Sequence, residues 1–199
     1  VRGEGENALP QLLRSIEKSE DWNSIQGLCW LDPIEDRYHD NGIARIEDFA
    51  SLKYPETSIF FNWEKPFVQL ETSRGCFNTC AFCVSGGEKP VRFQSIGQVR
   101  ERLEDICSHG IKDIRVLDRT FNYDTHRACE MLEVFREYDG RMHFHLEIHP
   151  ALLNEQVKGK LASMPSGLLH LEAGIQSLDR KVLRESGRRG SLEASLEGL

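Results

Sequence analysis

The strongest constraint on the fold is the alternation of strand-like and helix-like segments from Pro66 onward. Four β-type runs, "FVQLE", "DIRVLD", "MHFHLEI" and "GLLHLEAGIQS", are separated by helical patterns such as "SIGQVRERLEDICSHG" and "THRACEMLEVFREYDG". Strands and helices that alternate at this spacing form right-handed βαβ units around a parallel sheet. We therefore predict an α/β fold in which residues 67–199 form about four βα units, the first part of a (β/α) barrel.

Functional residues of such barrels lie at the carboxyl ends of the strands, on the loops that follow them. Here the first strand-like run is followed by a cysteine-containing loop, and the later runs end in "LDRTFN", "HLEIHP" and "AGIQSLDR". Each of these segments contains residues that can bond a polar ligand. The sequence therefore predicts a site at one edge of the sheet.

Residues 1–66 have a different pattern, which predicts one helix and two short strands. "ENALPQLLRSIEK" places four apolar side chains on one helical face: Leu9, Leu12, Leu13 and Ile16. A hairpin is predicted between Gly27 and Ile46, with a turn signal at Asp40-Asn41-Gly42. These elements are too few for a core of their own. We expect them to be the tail of a preceding domain followed by a connector, and the chain, whose first methionine is Met131, to be a fragment.

Composition narrows the classes of protein to be considered. Hydrophobic residues make up 39% and charged residues 29% of the chain, as in soluble globular proteins. No apolar run approaches 18 residues and no secretory signal is evident, so we predict a cytoplasmic protein without a membrane span. The net charge of −7 argues against an extended nucleic-acid surface.

Three of the six cysteines fall within one short segment, "SRGCFNTCAFCVSG", with the spacing C-x3-C-x2-C. They are Cys76, Cys80 and Cys83. The same spacing would place the three thiols on one face of a helix, but Gly75, Asn78 and the tail Ser85-Gly86-Gly87 favour a loop. The segment is therefore a candidate metal-binding loop with three thiolate ligands.

Two kinds of metal site remain open for this loop. A structural zinc site needs a fourth ligand, and no second Cys or His pair follows; His109 is the one candidate considered. The other cysteines, Cys29, Cys107 and Cys129, each stand alone in apolar surroundings. The alternative is an iron–sulfur cluster held by three thiolates, in which one iron stays open to a small molecule.

The stretch "RGCFNTCAFC" resembles the C-x3-C-x-φ-C signature of radical S-adenosylmethionine enzymes, in which φ is aromatic and is Phe82 here. The resemblance implies a 4Fe–4S cluster on Cys76, Cys80 and Cys83, with S-adenosylmethionine bound to the open iron. It implies reductive cleavage of that cofactor to a 5′-deoxyadenosyl radical, with electrons from an external donor such as flavodoxin or ferredoxin. The substrate is unknown, and methyl or methylthio transfer is among the reactions considered.

The same resemblance assigns cofactor contacts to five positions beyond the cysteines. Phe82 is expected beside the adenine. Asp118 stands where the family often has Gly-Gly-Glu, and is expected to accept a hydrogen bond from the cofactor's amino group. Glu147 corresponds to a polar residue directed at the ribose or the methionine part, with a barrel-lining carboxylate paired to lysine as the alternative. "GIQS" is similar to the Gly-x-Gln-Ser stretch of coproporphyrinogen-dehydrogenase-like and tRNA-modifying branches, which marks Gln176 and Ser177.

An arginine is expected to meet the cofactor's carboxylate. Arg189 with Gly190 resembles the Arg-Gly pair that often follows the Gly-x-Gln-Ser stretch. Arg184 and Arg188 are rivals for that role, and a solvated surface arginine is the alternative for either.

The amino-terminal stretch "RGEGENALPQLL" is similar to the closing segment of cobalamin-binding domains that precede radical enzymes of this kind. The Asp-x-His-x-x-Gly segment that ligates cobalt in such domains is absent. The resemblance therefore implies that cobalamin binds only in a full-length protein, of which residues 1–66 hold the end of the binding domain.

Two further expectations concern function and assembly. The alternative to an enzyme is an iron–sulfur or zinc module with an electron-transfer or structural role only. An incomplete barrel leaves the edge of its fourth strand unpaired, which favours pairing with a second copy, so we expect a homodimer through that edge.

Overall fold

The computed structural model describes residues 1–18, 21–85 and 89–199. This part of the chain forms two compact units, Val1–Phe49 and Ala50–Leu199. Residues 50–66, which the sequence predicts to be part of a connector, belong to the second unit.

The first unit consists of helix α1 (Gly5–Lys18) and an antiparallel hairpin of β1 (Cys29–Asp32) and β2 (Arg37–Asp40). A short 3₁₀ turn, Trp22–Ser24, lies between them. Its small core contains six side chains: Ala8, Leu12, Trp22, Ile25, Leu28 and Trp30. The expectation that these elements are too few for a core of their own was therefore wrong, because the helix and the hairpin enclose a small apolar cluster within this unit.

The hairpin is present, but the turn predicted at Asp40-Asn41-Gly42 is not the one that joins its strands. The strands are connected by residues 33–36, where the side chain of Asp32 accepts hydrogen bonds from the backbone N–H groups of Ile34 and Glu35 (2.8 and 3.1 Å). The Asp40–Gly42 turn follows β2 instead, and the amide of Asn41 ties it to two backbone carbonyls of the unit (2.8 Å each). The prediction that Asp40-Asn41-Gly42 forms the hairpin turn was therefore wrong, because this turn follows the second strand of the hairpin.

Helix α1 is present, and its predicted apolar face is largely exposed. Leu9, Leu13 and Ile16 are each more than half exposed, whereas Ala8 and Ser15 are buried. Of the four predicted side chains, only Leu12 belongs to the small core, which contacts the helix through Ala8 and Leu12.

The second unit contains six strands and five helices in its described residues. In chain order they are β3 (Phe67–Leu70), β4 (Ser73–Arg74), β5 (Arg92–Phe93), α2 (Ile96–Ser108), β6 (Asp113–Val116), α3 (Thr125–Arg136), β7 (His143–Ile148), α4 (Glu155–Ala162), β8 (Leu169–Ala173), α5 (Arg180–Glu185) and α6 (Leu192–Glu197). No helix within the described ranges is long and apolar enough to cross a membrane.

Four of these strands form one parallel sheet in the order β3-β6-β7-β8. Helices α2, α3 and α4 connect successive strands, as right-handed βαβ units require. The prediction of an α/β fold with four βα units, the first part of a barrel, is confirmed. The pair β4–β5 was not predicted; it is antiparallel and closes the base of the cysteine loop, residues 75–91.

One face of the sheet packs against the helices and forms the main core. Alternate residues of β7 are buried, and Phe144 and Leu146 belong to one core cluster with apolar residues of α2 and α3. The helices begin where short polar side chains satisfy free backbone N–H groups: Ser95 and Gln98 form a capping box on α2, and Asp124 caps α3. Burial of this face fixes the register of the strands, and so fixes which residues end each strand.

The opposite face of the sheet is polar. The register pairs Gln69 with Arg115, Arg115 with His145, and His145 with His170, so one row crosses all four strands. The imidazoles of His145 and His170 stack at 4.8 Å, and His145 Nε2 lies 3.2 Å from a carboxylate oxygen of Glu172. Interior rows of (β/α) barrels are usually filled by branched apolar residues. We call these four residues, Gln69, Arg115, His145 and His170, the polar row.

Candidate active site

The cysteine loop begins at the carboxyl end of β3 and is anchored by Asp118, which follows β6. Because β3 and β6 are parallel neighbours, both chain ends emerge at the same edge of the sheet. Asp118 Oδ1 accepts hydrogen bonds from the backbone N–H groups of Thr72 and Ser73 (2.8 Å each), and its Oδ2 accepts one from the Thr72 hydroxyl (2.6 Å). Burial raises the pKa of the Asp118 carboxyl, although the hydrogen bonds from Thr72 and Ser73 oppose the shift.

Asp118 was predicted to contact the cofactor's amino group. In the structure it is almost fully buried, and both carboxylate oxygens already accept hydrogen bonds from within the chain. What the geometry shows is a residue that positions the start of the cysteine loop.

The three predicted ligands lie in this loop as free thiols. Cys76 and Cys80 are buried and Cys83 is exposed, and a backbone hydrogen bond from Cys83 N to Cys80 O (3.1 Å) forms a tight turn between the last two. Gly86 and Gly87, which also favoured a loop, lie outside the described residues.

The donor set decides which metal group the loop fits. Among the residues that the structure describes, no three His, Cys, Asp or Glu side chains are placed to share one metal ion. A structural zinc site takes four protein ligands, whereas the loop offers three thiols. A 4Fe–4S cluster has a different requirement, since each thiolate binds a different iron of the cube and the sulfurs need not converge on one point. Three unpaired thiols in one loop, two of them shielded from solvent, fit the cluster.

The segment 186–190, which follows α5, packs directly on the cysteine loop. Ala81 N donates to the carbonyl of Ser186 (2.8 Å), and Arg189 N donates to the buried side chain of Asn78 (2.9 Å). Gly187 has φ +71°, and a Cβ there would lie 2.8 Å from the carbonyl oxygen of Thr79. Only glycine fits this approach without strain. We call residues 186–190 the backing segment.

The arginines predicted to meet the cofactor's carboxylate are placed differently from one another. Arg189 contributes its backbone to the cysteine loop, and its side chain is exposed. Arg188 is half-buried and its guanidinium donates to the carbonyl of Gly174, at the end of β8 (2.7 Å). Arg184 is exposed on α5. Of the three, Arg188 joins two elements of the site edge.

The remaining predicted cofactor contacts lie at the same edge of the sheet or on the loop itself. Phe82 is 60% exposed on the cysteine loop. Glu147 is exposed near the carboxyl end of β7, on the face that carries the polar row. Gln176 adopts a positive φ of +76° that places its side chain over Gly174, and Ser177 Oγ accepts from the N–H of Asp179 (3.1 Å).

Sequence reasoning missed His149, which follows β7 at this edge. Only 3% of the residue is exposed, and neither ring nitrogen has a partner within hydrogen-bond geometry. Asn122 fixes its backbone from both sides, donating to His149 O (2.9 Å) and accepting from His149 N (2.8 Å). Burial, with a contribution from the charge of Arg188, lowers the pKa of His149 to about 4, although weaker interactions with the backbone of Arg189 and of His149 itself oppose the shift. Its position directly after a predicted strand was the available signal.

Comparison with known protein families shows the superfamily to which the chain belongs. The family model of the radical SAM superfamily matches residues 70–199. The chain belongs to this superfamily, which identifies it as part of an enzyme.

Relatives and solved structures give a more particular likeness. The chain is 26% identical to the uncharacterised methyltransferase PH0819 of Pyrococcus horikoshii, over all of the chain and 44% of that protein. It is 28% identical to a tRNA-2-methylthio-N(6)-dimethylallyladenosine synthase of Nocardioides sp., over 73% of the chain and 32% of that protein. The structure of the cobalamin-dependent S-adenosylmethionine radical enzyme OxsB superposes on 98% of the chain with a TM-score of 0.80 at 20% identity, and the chain covers 30% of it. The chain thus spans less than half the length of each.

Proposed function

We propose that Cys76, Cys80 and Cys83 bind a 4Fe–4S cluster whose open iron takes S-adenosylmethionine. The observation that carries the proposal is the three free thiols in one loop, which Asp118 and the backing segment hold at the carboxyl edge of the sheet. Such a cluster, when bound, supplies the electron that cleaves the sulfonium of S-adenosylmethionine. An external electron donor completes the proposal.

The other residues of this edge would bind and orient the cofactor. Phe82 offers an exposed ring for the adenine, and Glu147 and Gln176 offer polar groups for the ribose and methionine parts. The guanidinium of Arg188 already lies at the end of β8, which makes it a stronger candidate than the side chain of Arg189 for the carboxylate. Asp118 would act through the loop that it anchors.

The test is anaerobic reconstitution of the chain with iron and sulfide. About four irons per chain and the spectrum of a reduced 4Fe–4S cluster are expected. Cys80→Ala should lose the cluster. Cys107→Ala is the matched control, because Cys107 is a half-buried cysteine of α2 outside the loop, and it should keep wild-type iron content. Iron content that Cys80→Ala leaves unchanged would refute the proposed ligands.

A second measurement separates a catalytic cluster from one that only transfers electrons. Addition of S-adenosylmethionine should change the electron paramagnetic resonance spectrum of the reduced cluster, because an open iron can bind it. A cluster whose spectrum does not respond would favour the electron-transfer role.

We propose methyl transfer, with cobalamin bound by the full-length protein, as the reaction class. Two likenesses support this choice over methylthio transfer. A relative that matches all of the chain is named a methyltransferase, and the OxsB structure, matched over 98% of the chain, is cobalamin-dependent. Full-length protein produced with added cobalamin should carry it in a stoichiometric amount. Full-length protein that shows no cobalamin absorbance would contradict this branch.

A further inference from the structure

His149 is the one histidine of the site edge whose side chain is buried without any partner for its ring nitrogens. Native proteins rarely keep such a group, since an unsatisfied buried donor or acceptor costs free energy that an apolar side chain would avoid. A histidine retained here therefore indicates a partner that binds separately from the chain, such as a water, an ion or a ligand.

The surroundings of His149 point to the cysteine loop as the place of that partner. Its ring lies 5.9 Å from the ring of Phe77, the residue after Cys76, and Phe77 in turn stacks on Tyr123 at 5.0 Å. On another side, a Cβ added to Gly190 of the backing segment would lie 3.4 Å from His149 Cε1. The imidazole is thus enclosed by the same two segments that hold the three thiols.

The backbone of His149 is held by Asn122. Both backbone hydrogen bonds to Asn122 use up the polar groups of that side chain, and Asn122 is itself 1% exposed. Asn122 therefore cannot serve as a partner for the ring nitrogens, and no other described group meets them within hydrogen-bond geometry. At working pH the imidazole is neutral, because burial beside Arg188 lowers its pKa, so it offers one N–H donor and one acceptor.

We propose that His149 is a positioning residue whose ring N–H donates a hydrogen bond to an acceptor of the group bound at the cysteine loop. This inference rests on the proposed function. Two acceptors share the required chemistry, namely sulfur of the cluster and the carboxylate of S-adenosylmethionine. A hydrogen bond to sulfur raises the reduction potential of a cluster, whereas one to the carboxylate strengthens cofactor binding.

The test compares three variants of the full chain. His149→Leu removes both ring nitrogens, and His149→Gln restores a donor. His143→Leu is the matched control, since His143 is an exposed histidine at the other end of β7 whose Nδ1 contacts the carbonyl of Gly167 (2.8 Å).

The first measurement is the thermal midpoint of the metal-free chain. His149→Leu should have a midpoint equal to or above that of the wild type, because it removes an unsatisfied group. A loss of stability clearly larger than that of His143→Leu would show that the imidazole is a structural group, satisfied by a buried water, and would overturn the inference.

The second measurement is made on reconstituted chains. If sulfur is the acceptor, His149→Leu should lower the reduction potential of the cluster and alter its resonance spectrum before any cofactor is added. If the carboxylate is the acceptor, the isolated cluster should be unchanged, and the S-adenosylmethionine titration should shift to about tenfold higher concentration, as the loss of one charged hydrogen bond predicts. In either case His149→Gln should recover part of the effect and His143→Leu should match the wild type.

Failure of this inference is distinguishable from failure of the proposed function. If the wild-type chain assembles no cluster, both fall. If the wild type assembles a cluster, and His149→Leu equals it in potential, spectrum and cofactor titration, only the role of His149 is refuted.

Discussion

Replacement of Asp118 separates the anchoring of the cysteine loop from a direct contact with the cofactor. Asp118→Ala removes the acceptor of two buried N–H groups, those of Thr72 and Ser73, and each unsatisfied group costs about 1–3 kcal/mol. The Thr72 hydroxyl can rotate toward another acceptor, so it adds little. We therefore expect Asp118→Ala to lower the free energy of unfolding by about 2–6 kcal/mol. Asp118→Asn keeps an oxygen for both N–H groups and should change it by about 1 kcal/mol or less.

The pH dependence of this comparison has a definite sign. Burial raises the pKa of Asp118 in the folded chain above the ordinary value of 3.8, so the folded state holds this proton more tightly than the unfolded state. The stabilisation that the folded chain gains by holding this proton is complete below pH 3.8. It is lost as the pH rises through the pKa of Asp118 in the folded chain. Asp118→Asn does not ionise, so its free energy of unfolding relative to that of the wild type should increase as the pH is raised from 3.8 toward neutrality.

Urea unfolding at several pH values, followed by circular dichroism, measures both effects. If Asp118→Asn loses as much stability as Asp118→Ala, the hydrogen-bond account is wrong. If the stability of Asp118→Asn relative to the wild type decreases as the pH rises, the direction of the pKa shift is wrong. The same variant tests the predicted role in cofactor binding. A reconstituted Asp118→Asn chain that keeps its iron but no longer responds to S-adenosylmethionine would support a direct contact with the amino group.

Three further predictions test other parts of the second unit. Arg102→Met should lower the free energy of unfolding by about 3–5 kcal/mol, because it removes the partner of the buried Glu56 carboxylate, which lies 2.8 Å from Arg102. Urea unfolding of the double variant with Glu56→Leu should recover most of this loss. Gly187→Ala should lower iron incorporation, because its Cβ meets a carbonyl of the cysteine loop, whereas Gly140→Ala, with φ +70° and open space around it, should not; equal incorporation would refute the packing argument. In the metal-free chain, an alkylating reagent followed by mass spectrometry should modify exposed Cys83 before the two buried thiols of the loop, and uniform labelling would contradict their burial.

The parallel sheet was predictable because its signals are local. Alternating burial in the strands, helical periodicity between them and polar caps such as Ser95 and Asp124 all agree on the same elements. The hairpin turn was misplaced because Asp40-Asn41-Gly42 has turn chemistry, while the residues that join the strands have only the side chain of Asp32 to support them. Local propensity identifies a turn, but tertiary contacts decide which segments it connects.

The candidate site was only partly predictable, for a related reason. The three cysteines lie in one short motif, so their spacing alone identifies them. The contacts that position their loop join residues far apart in the chain: Asp118 lies 46 positions after Thr72, and Arg189 lies 111 positions after Asn78. No periodicity in the sequence records such pairs. They become visible only when the parallel sheet brings its strand ends to one edge.

Buried polar groups gather at this edge, where a hydrophobic sheet turns into loops. Each loop that leaves the sheet carries backbone N–H and C=O groups that have lost their strand partners and need others. The side chain of Asp118 is the hydrogen-bond partner at the start of the cysteine loop, and the side chain of Asn122 is the partner for the backbone of His149. Because these acceptors and donors come from the chain itself, the start of the loop at Thr72 and Ser73 is held before any cofactor binds, and cofactor binding need not meet the entropic cost of ordering that part. The imidazole of His149 is the exception within this satisfied network, which is why it, rather than Asp118 or Asn122, is the residue left to contact the bound group.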